Sequence, residues 1–144
     1  MMKAISVLNP WAVLLAIGAK TYETRSWATP YRGPIAIHAS KAFCGWQQEL
    51  CFAEPFATVL MRELFNNEPL GAFLMHRIQC GAVLATGELT GCFRTGDIAH
   101  TLSEQERAFG DFGPGRYAWR IERVKLLEKP VVCAGRLGLW EWDR

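Results

Sequence analysis

Apolar and polar positions at the start of the chain predict a strand followed by a short helix. Residues 4–8, AISVL, form an apolar run of strand length, which is typical of a buried strand. Asn9 and Pro10 follow as a helix cap and a favoured first helical residue, and Gly18 is a typical helix end. The segment between them is apolar on every side, so we expect a short, buried helix.

The pattern that follows predicts two more strands and then a helical stretch. The segment TYETRSW, residues 21–27, has strand composition, and PIAIHAS, residues 34–40, is a second strand after a turn at residues 31–34. Residues 43–65 are helical in pattern, with an interruption near Pro55. Both types of secondary structure are therefore expected in the first half of the chain.

Strand patterns return from about Gly81 onward. The stretch GAVLATGELTGCF, residues 81–93, is rich in apolar and β-branched residues, and its internal glycines are typical of bulges or barrel bends. A short helical turn is expected from Ser103, residues 116–127 alternate as a strand does, and residues 135–142 form a last strand. Strands outnumber helices, which predicts an α+β fold: a small curved sheet or barrel with flanking helices.

Length and composition indicate one folded domain. The chain has 144 residues, of which 50% are hydrophobic and 21% are charged, as is ordinary for a protein with its own core. Its longest apolar run, residues 11–17, is too short to cross a bilayer, and residues 1–11 lack the features of a signal peptide. We therefore expect a single domain over residues 1–144, in the cytoplasm and without a membrane partner.

The residue types that bind metals are too dispersed to predict a metal site. The cysteines are odd in number and none has CxxC spacing, so free thiols in a reducing compartment are expected rather than disulfides. The histidines form no HxxxH pair. No metal and no cofactor are predicted. The residues concerned are Cys44, Cys51, Cys80, Cys92, Cys133, His38, His76 and His100.

The net charge of +2 is small, but its distribution along the chain is uneven. Residues 1–41 contain five basic residues and one acidic residue, whereas residues 42–102 contain three basic and six acidic ones. An anionic ligand is therefore favoured near the first third of the chain. A randomly uneven surface would produce the same distribution, and charge alone does not separate the two interpretations.

The stretch GAKTYETRSW, residues 18–27, concentrates charge beside the most apolar run. In an extended strand Glu23 and Arg25 would share one face, roughly 7 Å apart, and could bracket a polar ligand. Alternation places Lys20 on the other face, but its long side chain could swing to the same pocket because the chain is still turning there. The alternative is a surface ion pair worth less than about 1 kcal/mol.

These residues resemble the ASCH domain family, which is related to the PUA fold. GAKTYETRSW matches the GxKxxExR signature, with Gly18, Lys20, Glu23 and Arg25 at its four positions. ISVLNPWAVLLAIG before it, YRGPIAIHASK after it, and GDFGPGRYAWRIERV and GRLGLWEW near the end resemble bacterial and phage members. The resemblance implies a PUA-like mixed β-barrel of about five to six strands with flanking helices. It also implies a cleft beside the first helix and a helical insertion at residues 42–80.

The family resemblance implies RNA or nucleotide ligands, and some members are hydrolases. One branch is an amidohydrolase on N4-acylated cytidine that uses a lysine, a threonine three residues later and a distant glutamate; other members are ribonucleases. Here Glu23 occupies the position of that threonine, so the threonine nucleophile is not carried over. Glu104 and Glu106 fall in roughly the region of the distant acid, without a fixed register.

Several other residues are candidates for the same ligand. Trp11 and Trp27 could stack on a base, although large aromatic residues are more often part of the core, where Trp119 and Trp140 are expected. His38 is expected to be a hydrogen-bonded structural residue. Ser40 with Lys41 could contact phosphate, and Arg116 with Tyr117 could approach the cleft from the far strand. The predicted ligand-binding residues are Lys20, Glu23, Arg25, Trp11, Trp27, Ser40, Lys41, Arg116 and Tyr117.

Three functions remain open at this point. The first is a domain that binds RNA, a nucleotide or a modified nucleoside, in which Lys20 and Arg25 contact phosphate or carbonyl oxygens and Glu23 accepts from an amino group. The second is a hydrolase of modified nucleosides or of RNA, in which Glu23 is the general base and Lys20 the electrophile or proton donor. The third is a module that binds another protein. No P-loop, Rossmann or GxSxG motif is present.

Overall fold

The computed structural model describes residues 1–64 and 78–143, which contain six strands and five short helices. The strands are β1 Met2–Val7, β2 Tyr22–Arg25, β3 Gly33–Ala39, β4 Ala82–Arg94, β5 Tyr117–Val132 and β6 Leu139–Trp142. The helices are α1 Trp11–Ala16, α2 Gly45–Leu50, α3 Phe56–Leu64, α4 Thr95–Ile98 and α5 Glu104–Ala108, with a 3₁₀ turn, Ala99–Thr101, between the last two.

The six strands form one mixed sheet in the order β2-β5-β4-β3-β1-β6. β1 and β3 are parallel, and the other neighbouring pairs are antiparallel. Helices separate some consecutive strands, but β3 follows β2, and β6 follows β5, without a helix between them. The predicted α+β class with about six strands is therefore confirmed.

This sheet curls without closing into a full barrel. β2 and β6 are its two edges, and no backbone pairing joins them in the described part of the chain. In a flat sheet β2 and β1 would be about 19 Å apart, because four strand spacings separate them. Arg25 on β2 nevertheless donates from Nη2 to the Ser6 carbonyl on β1 over 2.8 Å. The sheet therefore wraps β2 towards β1 and leaves a hollow between them.

The internal glycines of β4 lie where its pairing with β5 changes register. One register shift spans Gly87 and another ends at Gly91. A Cβ atom on Gly91 would lie 2.5 Å from the Phe93 ring, so a larger residue would force that ring to move. The bulges expected from these glycines are confirmed, and they increase the local twist of the sheet.

β5 continues past the alternating stretch by which the sequence predicts it. The alternation ends at Leu127, whereas the strand extends to Val132. The additional residues are mostly exposed and have no apolar alternation, but two of them, Val131 and Val132, pair with Val83 and Ala82 of β4. Pairing of Val131 and Val132 and the packing of Val131 against the Trp140 cluster support this end of the strand.

The main core lies on one face of the sheet and contains α1. Residues 12–16 of that helix are all buried, as expected for a helix that is apolar on every side. Trp119 is the largest fully buried side chain of this face. A smaller cluster around Trp140 and Trp142 covers the opposite face. The predicted burial of Trp119 and Trp140 is confirmed.

Asn9 connects the start of α1 to two distant segments. Its side-chain Oδ1 accepts from the Val13 N–H over 3.1 Å, but the helix begins at Trp11, so Pro10 and not Asn9 occupies the cap position. Its Nδ2 donates to the Gln79 carbonyl, and its own carbonyl accepts from Gln47 Nε2 over 2.7 Å. Asn9 therefore bonds to the first turn of α1 and also fixes α2 and residue 79 against it.

α2 and α3 lie within residues 42–80, the segment predicted to be a helical insertion. Residues 65–77 of that segment lie outside the described residues. The Phe56 ring on α3 packs at 4.9 Å from Phe109 and at 6.2 Å from Trp11. α3 is therefore packed on α1, and the assignment of residues 42–80 as an insertion stays a prediction.

All five cysteines are free thiols, as expected. Burial raises the pKa of the Cys51 thiol to about 11, so this group is protonated at neutral pH. In the described ranges, no helix has the length and hydropathy that a membrane span requires. The same residues contain no group of three or more His, Cys, Asp or Glu side chains that could hold a metal ion.

Candidate functional site

A cleft of about 630 Å³ lies in the hollow between β1 and β2. Three segments form its wall: the end of β1 with the start of α1, the charged stretch from Lys20 to Trp27, and the loop after α5. The described lining residues are Ser6, Val7, Leu8, Trp11, Lys20, Glu23, Thr24, Arg25, Ser26, Trp27, Ala108, Phe109, Gly110, Asp111 and Arg116.

Lys20 enters the cleft because of the way α1 ends. Gly18 has a φ of +78°, a conformation that favours glycine, and the N–H groups of Ala19 and Lys20 both donate to the Leu14 carbonyl. Lys20 therefore precedes β2, which begins at Tyr22, and the alternation of that strand does not govern its direction. Lys20 and Glu23 both line the cleft, as expected if the long Lys20 side chain swings to the pocket of Glu23.

The Lys20 side chain is buried, with 1% of its surface exposed. Its Nζ donates to the Phe109 carbonyl over 2.7 Å. Burial lowers the pKa of Lys20 below 10.5, and the nearby carboxylates of Glu23 and Glu106 oppose that effect without cancelling it. The site therefore contains an ammonium group that is destabilised relative to water and would gain from an anionic partner.

Glu106 holds the start of β2 in place from α5. Its Oε1 accepts from the Thr21 N–H over 2.9 Å and its Oε2 from the Tyr22 N–H over 3.3 Å. Of the two acids that the sequence left without a register, Glu106 is the one near Lys20 and Glu104 is exposed; neither belongs to the described cleft wall. Both oxygens of Glu106 are already engaged, so its observed role is to position the strand that bears the signature.

Glu23 and Arg25 form an ion pair at the cleft surface. Arg25 Nε lies 3.1 Å from Glu23 Oε2, and Arg25 Nη2 donates to the Ser6 carbonyl. Within residues 1–64 and 78–143, Arg25 Nη1 has no hydrogen-bond partner, and the Nε–H is buried without a well-directed acceptor. The guanidinium is thus held by two contacts while other N–H donors remain available to a ligand.

The loop that follows α5 forms the opposite wall. Asp111 N–H donates to Thr24 Oγ1 over 3.3 Å, and Arg116 Nη2 donates to the Thr24 carbonyl over 3.2 Å. Arg116 Nε also donates to the Asp111 carbonyl. The predicted approach of Arg116 to the cleft is therefore observed, and this side chain ties the loop to β2. The Thr24 hydroxyl and the Lys20 ammonium therefore have different hydrogen-bond partners, Asp111 N–H and the Phe109 carbonyl, and do not bond to each other.

Two tryptophans line the cleft, as the sequence predicts. Trp27 is 37% exposed and packs edge-on against Trp119, with ring centroids 4.7 Å apart. Trp11 lies 6.0 Å from Trp46, which is 56% exposed on α2. Sequence reasoning does not identify Trp46 as a site residue, because the packing of α2 against α1 has no local signal. Trp46 extends the aromatic surface beyond the mouth of the cleft.

Three of the predicted ligand residues lie outside the described wall of this cleft. Ser40 donates its backbone N–H to the Val7 carbonyl, and Lys41 is exposed beside Gly81. Tyr117 packs against the main core and lines a second, smaller cavity. The structure does not bring these residues together with Lys20, and their contact with a ligand stays a prediction.

His38 has the structural role that its apolar strand indicates. Its Nε2–H donates to the Cys133 carbonyl over 2.9 Å, which leaves Nδ1 to accept from the Ser6 hydroxyl over 3.1 Å. The Ser6 hydroxyl in turn accepts from Trp140 Nε1–H. Every polar atom of this group is satisfied on the face of the sheet that carries the smaller cluster.

The cleft combines charge of both signs with aromatic surface. Its described charged residues are three cations and two anions, so it has a small positive excess at neutral pH if Lys20 is protonated. Guanidinium and ammonium groups bind phosphate and carbonyl oxygens, carboxylates accept from amino groups, and indole rings stack on bases. This set of groups matches the chemistry of a nucleotide.

Comparison with known proteins supports one family assignment. A family model described as ASCH domain matches residues 5–130. The chain is also similar to the crystal structure of an ASCH protein from Zymomonas mobilis, with 15% sequence identity and a TM-score of 0.53. That alignment covers 99% of this chain and 87% of the other, and at such identity it shows the fold alone. No curated protein matches the chain.

Proposed function

Since the chain belongs to the ASCH domain family, we propose that its cleft binds RNA or a nucleotide. The family model covers the signature and both walls of the cleft. In this proposal Lys20 and Arg25 contact phosphate or carbonyl oxygens, and Glu23 accepts from an amino group of a base.

One observation carries the proposal: an acid and two cations converge on a common hollow that is partly shielded from water. Lys20 is fully buried, and the Glu23 and Arg25 side chains are mostly buried. Partial shielding strengthens their interaction with a charged or polar ligand relative to the same groups in water. A surface ion pair would have needed no such cavity.

The aromatic rim supports a base as part of the ligand. Trp11 and Trp27 both line the cleft, and Trp27 keeps a large exposed fraction. Stacking of a base on an aromatic ring contributes about 1–3 kcal/mol and does not depend on base identity. Binding through these rings would add to the electrostatic contribution of Lys20 and Arg25.

The test is to titrate short RNAs at two salt concentrations against the native protein and Arg25→Ala. We expect binding that weakens as salt rises and that falls at least tenfold in Arg25→Ala, because a charge-assisted contact is lost. Arg136→Ala is the matched control, since Arg136 is exposed and does not contribute to the described cleft wall. Circular dichroism of each variant separates lost contacts from lost folding. The proposal would be contradicted if the native protein did not bind RNA at low salt, or if Arg25→Ala bound RNA as tightly as Arg136→Ala.

A hydrolase is the second candidate, and the environment of Lys20 favours it. Burial lowers the pKa of Lys20, and an ammonium group poised in this way beside a carboxylate is typical of acid–base chemistry. Glu23 would accept a proton from the attacking water, and Lys20 would donate to the substrate carbonyl or phosphoryl oxygen. The substrates would be N4-acylated cytidine-type nucleosides or RNA.

Incubation with N4-acylated cytidines, and separately with RNA and a divalent metal, distinguishes the two candidates. Turnover that disappears in Glu23→Gln but persists in Glu104→Gln would establish the hydrolase, because Glu104 lies outside the described cleft wall. Binding without turnover in both assays would exclude the hydrolase and retain only the binding function.

A further inference from the structure

A second cavity, of about 280 Å³, lies directly beside the cleft. It is bounded by the end of β4 with the start of α4 on one side and by residues 114–117 on the other. Its lining includes Arg94, Asp97 and Tyr117, and it shares Arg116 with the cleft. The two hollows therefore meet at Arg116, the residue that lines both.

Arg116 lines both hollows, and its side chain is held in place by Asp111 and Thr24. Its Nε lies 3.4 Å from Asp111 Oδ2 and donates to the Asp111 carbonyl, and its Nη2 donates to the Thr24 carbonyl. Its Nη1 group donates to no residue in the described ranges. A guanidinium that is anchored by two of its nitrogens and open at the third can contact a ligand that passes from one hollow to the other.

Arg94 brings a second guanidinium to the smaller cavity. It lies opposite Tyr117 in the pairing of β4 with β5, and the next residue, Thr95, donates its N–H to the Arg116 carbonyl over 3.1 Å. The backbones of Arg94 and Arg116 therefore approach closely, and both residues line the same cavity. Arg94 is exposed and forms no hydrogen bond or ion pair with any described residue. This free cation is well suited to a phosphate.

We propose that the ligand of the cleft is an RNA strand of at least two nucleotides rather than a free nucleoside. The proposal rests on the proposed function of the cleft. One nucleotide occupies the cleft at Lys20 and Arg25, the connecting phosphate passes Arg116, and the neighbouring nucleotide enters the second cavity. Arg94 contacts the phosphate of that neighbour and Tyr117 contacts its base.

The structure favours a strand for a geometric reason. A free nucleoside monophosphate has one phosphate group and would use only the cations of the cleft, which leaves Arg94 and the second cavity without a ligand contact. A strand repeats phosphate and base at regular intervals, and the two hollows repeat cation and aromatic ring in the same way. Arg116, shared by both, lies where the connecting phosphate would be.

The experiment compares a fluorescein-labelled random hexaribonucleotide with an equimolar mixture of the four ribonucleoside 5′-monophosphates. Anisotropy measures binding of the hexamer at several salt concentrations, and competition measures binding of the monomers. We expect the hexamer to bind at least tenfold more tightly than the monomers. In Arg94→Gln the hexamer should bind more weakly. The slope of log K against log salt is negative, and its magnitude should fall by about 0.7, the value for one phosphate contact on a single strand.

The controls separate this proposal from the function on which it rests. Arg136→Gln removes the same charge from an exposed residue that lines neither described cavity, and should leave hexamer binding and the salt slope unchanged. Arg94→Lys should retain most of the hexamer affinity, and monomer binding should be equal in all these variants. If monomers and hexamer bind equally well and Arg94→Gln has no effect, the strand proposal is overturned while the cleft function stands. If neither probe binds, both proposals fail.

Discussion

At the scale of single residues, the site depends on the cost of burying Lys20. An ammonium group with 1% exposure loses most of its hydration, and one carbonyl and two nearby carboxylates replace only part of it. The lowered pKa of Lys20 expresses this imbalance. The same imbalance provides the driving force for an anionic ligand, because a phosphate would restore what burial removes.

Lys20 makes the stability of the protein depend on pH in a predictable direction. Its pKa is lowered in the folded state, so between that value and the ordinary 10.5 the unfolded chain binds more protons than the folded one. The free energy of unfolding should therefore increase with pH in that interval. In Lys20→Met this contribution disappears, so the stability of the native protein minus that of the variant should rise with pH.

Urea unfolding of both proteins at a series of pH values up to 10 measures this difference. The variant also serves as the control for every other titrating group, since all of them are common to both proteins. A difference that is constant or that decreases with pH would show that the buried ammonium is not the destabilised group described above.

Gly135 illustrates a residue whose identity is decided by its neighbours. A Cβ atom on Gly135 would lie 2.5 Å from Ser6 Oγ and 2.6 Å from His38 Cε1, and the His38 ring is held by hydrogen bonds on both nitrogens. We expect Gly135→Ala to destabilise the protein by about 1–3 kcal/mol, as overpacking does. Gly45→Ala is the control, because a Cβ there meets nothing within 4 Å. Chemical denaturation measures both, and equal stability of the two variants would refute the steric argument.

At the scale of secondary-structure elements, α2 is held to α1 by one buried amide. Gln47 Nε2 donates to the carbonyls of Asn9 and Ala42, and its Oε1 accepts from the Cys44 N–H. These bonds place Trp46, the next residue back along α2, beside Trp11 at the mouth of the cleft. The aromatic rim of the site thus depends on how two helices dock.

Replacing Gln47 with methionine should separate this docking from the rest of the fold. Three hydrogen bonds are lost and buried backbone groups are left without partners, so we expect a loss of about 2–4 kcal/mol in urea denaturation. Gln48→Met is the matched control: Gln48 makes one side-chain bond, to the Phe43 carbonyl, and should lose no more than about 1.5 kcal/mol. Similar losses in the two variants would mean that Gln47 does not hold α2.

At the scale of the whole molecule, the curled sheet creates the site by bringing its first edge over β1. The central strands β3 and β4 are paired on both sides and largely buried, whereas β2 is four residues long, lies at an edge and is only partly buried. The ligand residues therefore lie on the least supported strand of the sheet. Arg25, Glu106 and Trp119 compensate through contacts that do not belong to the sheet itself.

This arrangement predicts a gradient of backbone protection across the sheet. In hydrogen exchange the amides of β3 and the paired part of β4 should exchange most slowly, near the rate set by global unfolding, and those of β2 should exchange much faster. Binding of RNA in the cleft should slow amide exchange in β2 and leave amide exchange in β3 unchanged, so β3 is an internal control. Equal protection of β2 and β3 in the free protein would show that the edge strand is not a weak point.

Local features of the sequence predicted much of the fold because their physical causes are local. The stop at Gly18, the register shifts at Gly87 and Gly91 and the buried helix between residues 10 and 18 all follow from backbone preferences and apolar pattern. The predicted cap at Asn9 lies one residue too early, because the helix begins at Trp11. The pattern did not show the end of β5, since residues 128–132 are mostly exposed and have no apolar alternation. It also did not show that the sheet stays open.

By itself the sequence determined the residue types of the site: the charges at 20, 23 and 25, the tryptophans beside them and Arg116. Only the tertiary structure decided which of these residues share a hollow. Ser40, Lys41 and Tyr117 were expected there and lie elsewhere, whereas Asp111 and the Phe109 carbonyl complete the site. The reason is physical: spacing along the chain governs direction only within one regular element. The meeting of β2, α1 and the loop after α5 depends on the sum of bulges, twist and packing over the whole sheet.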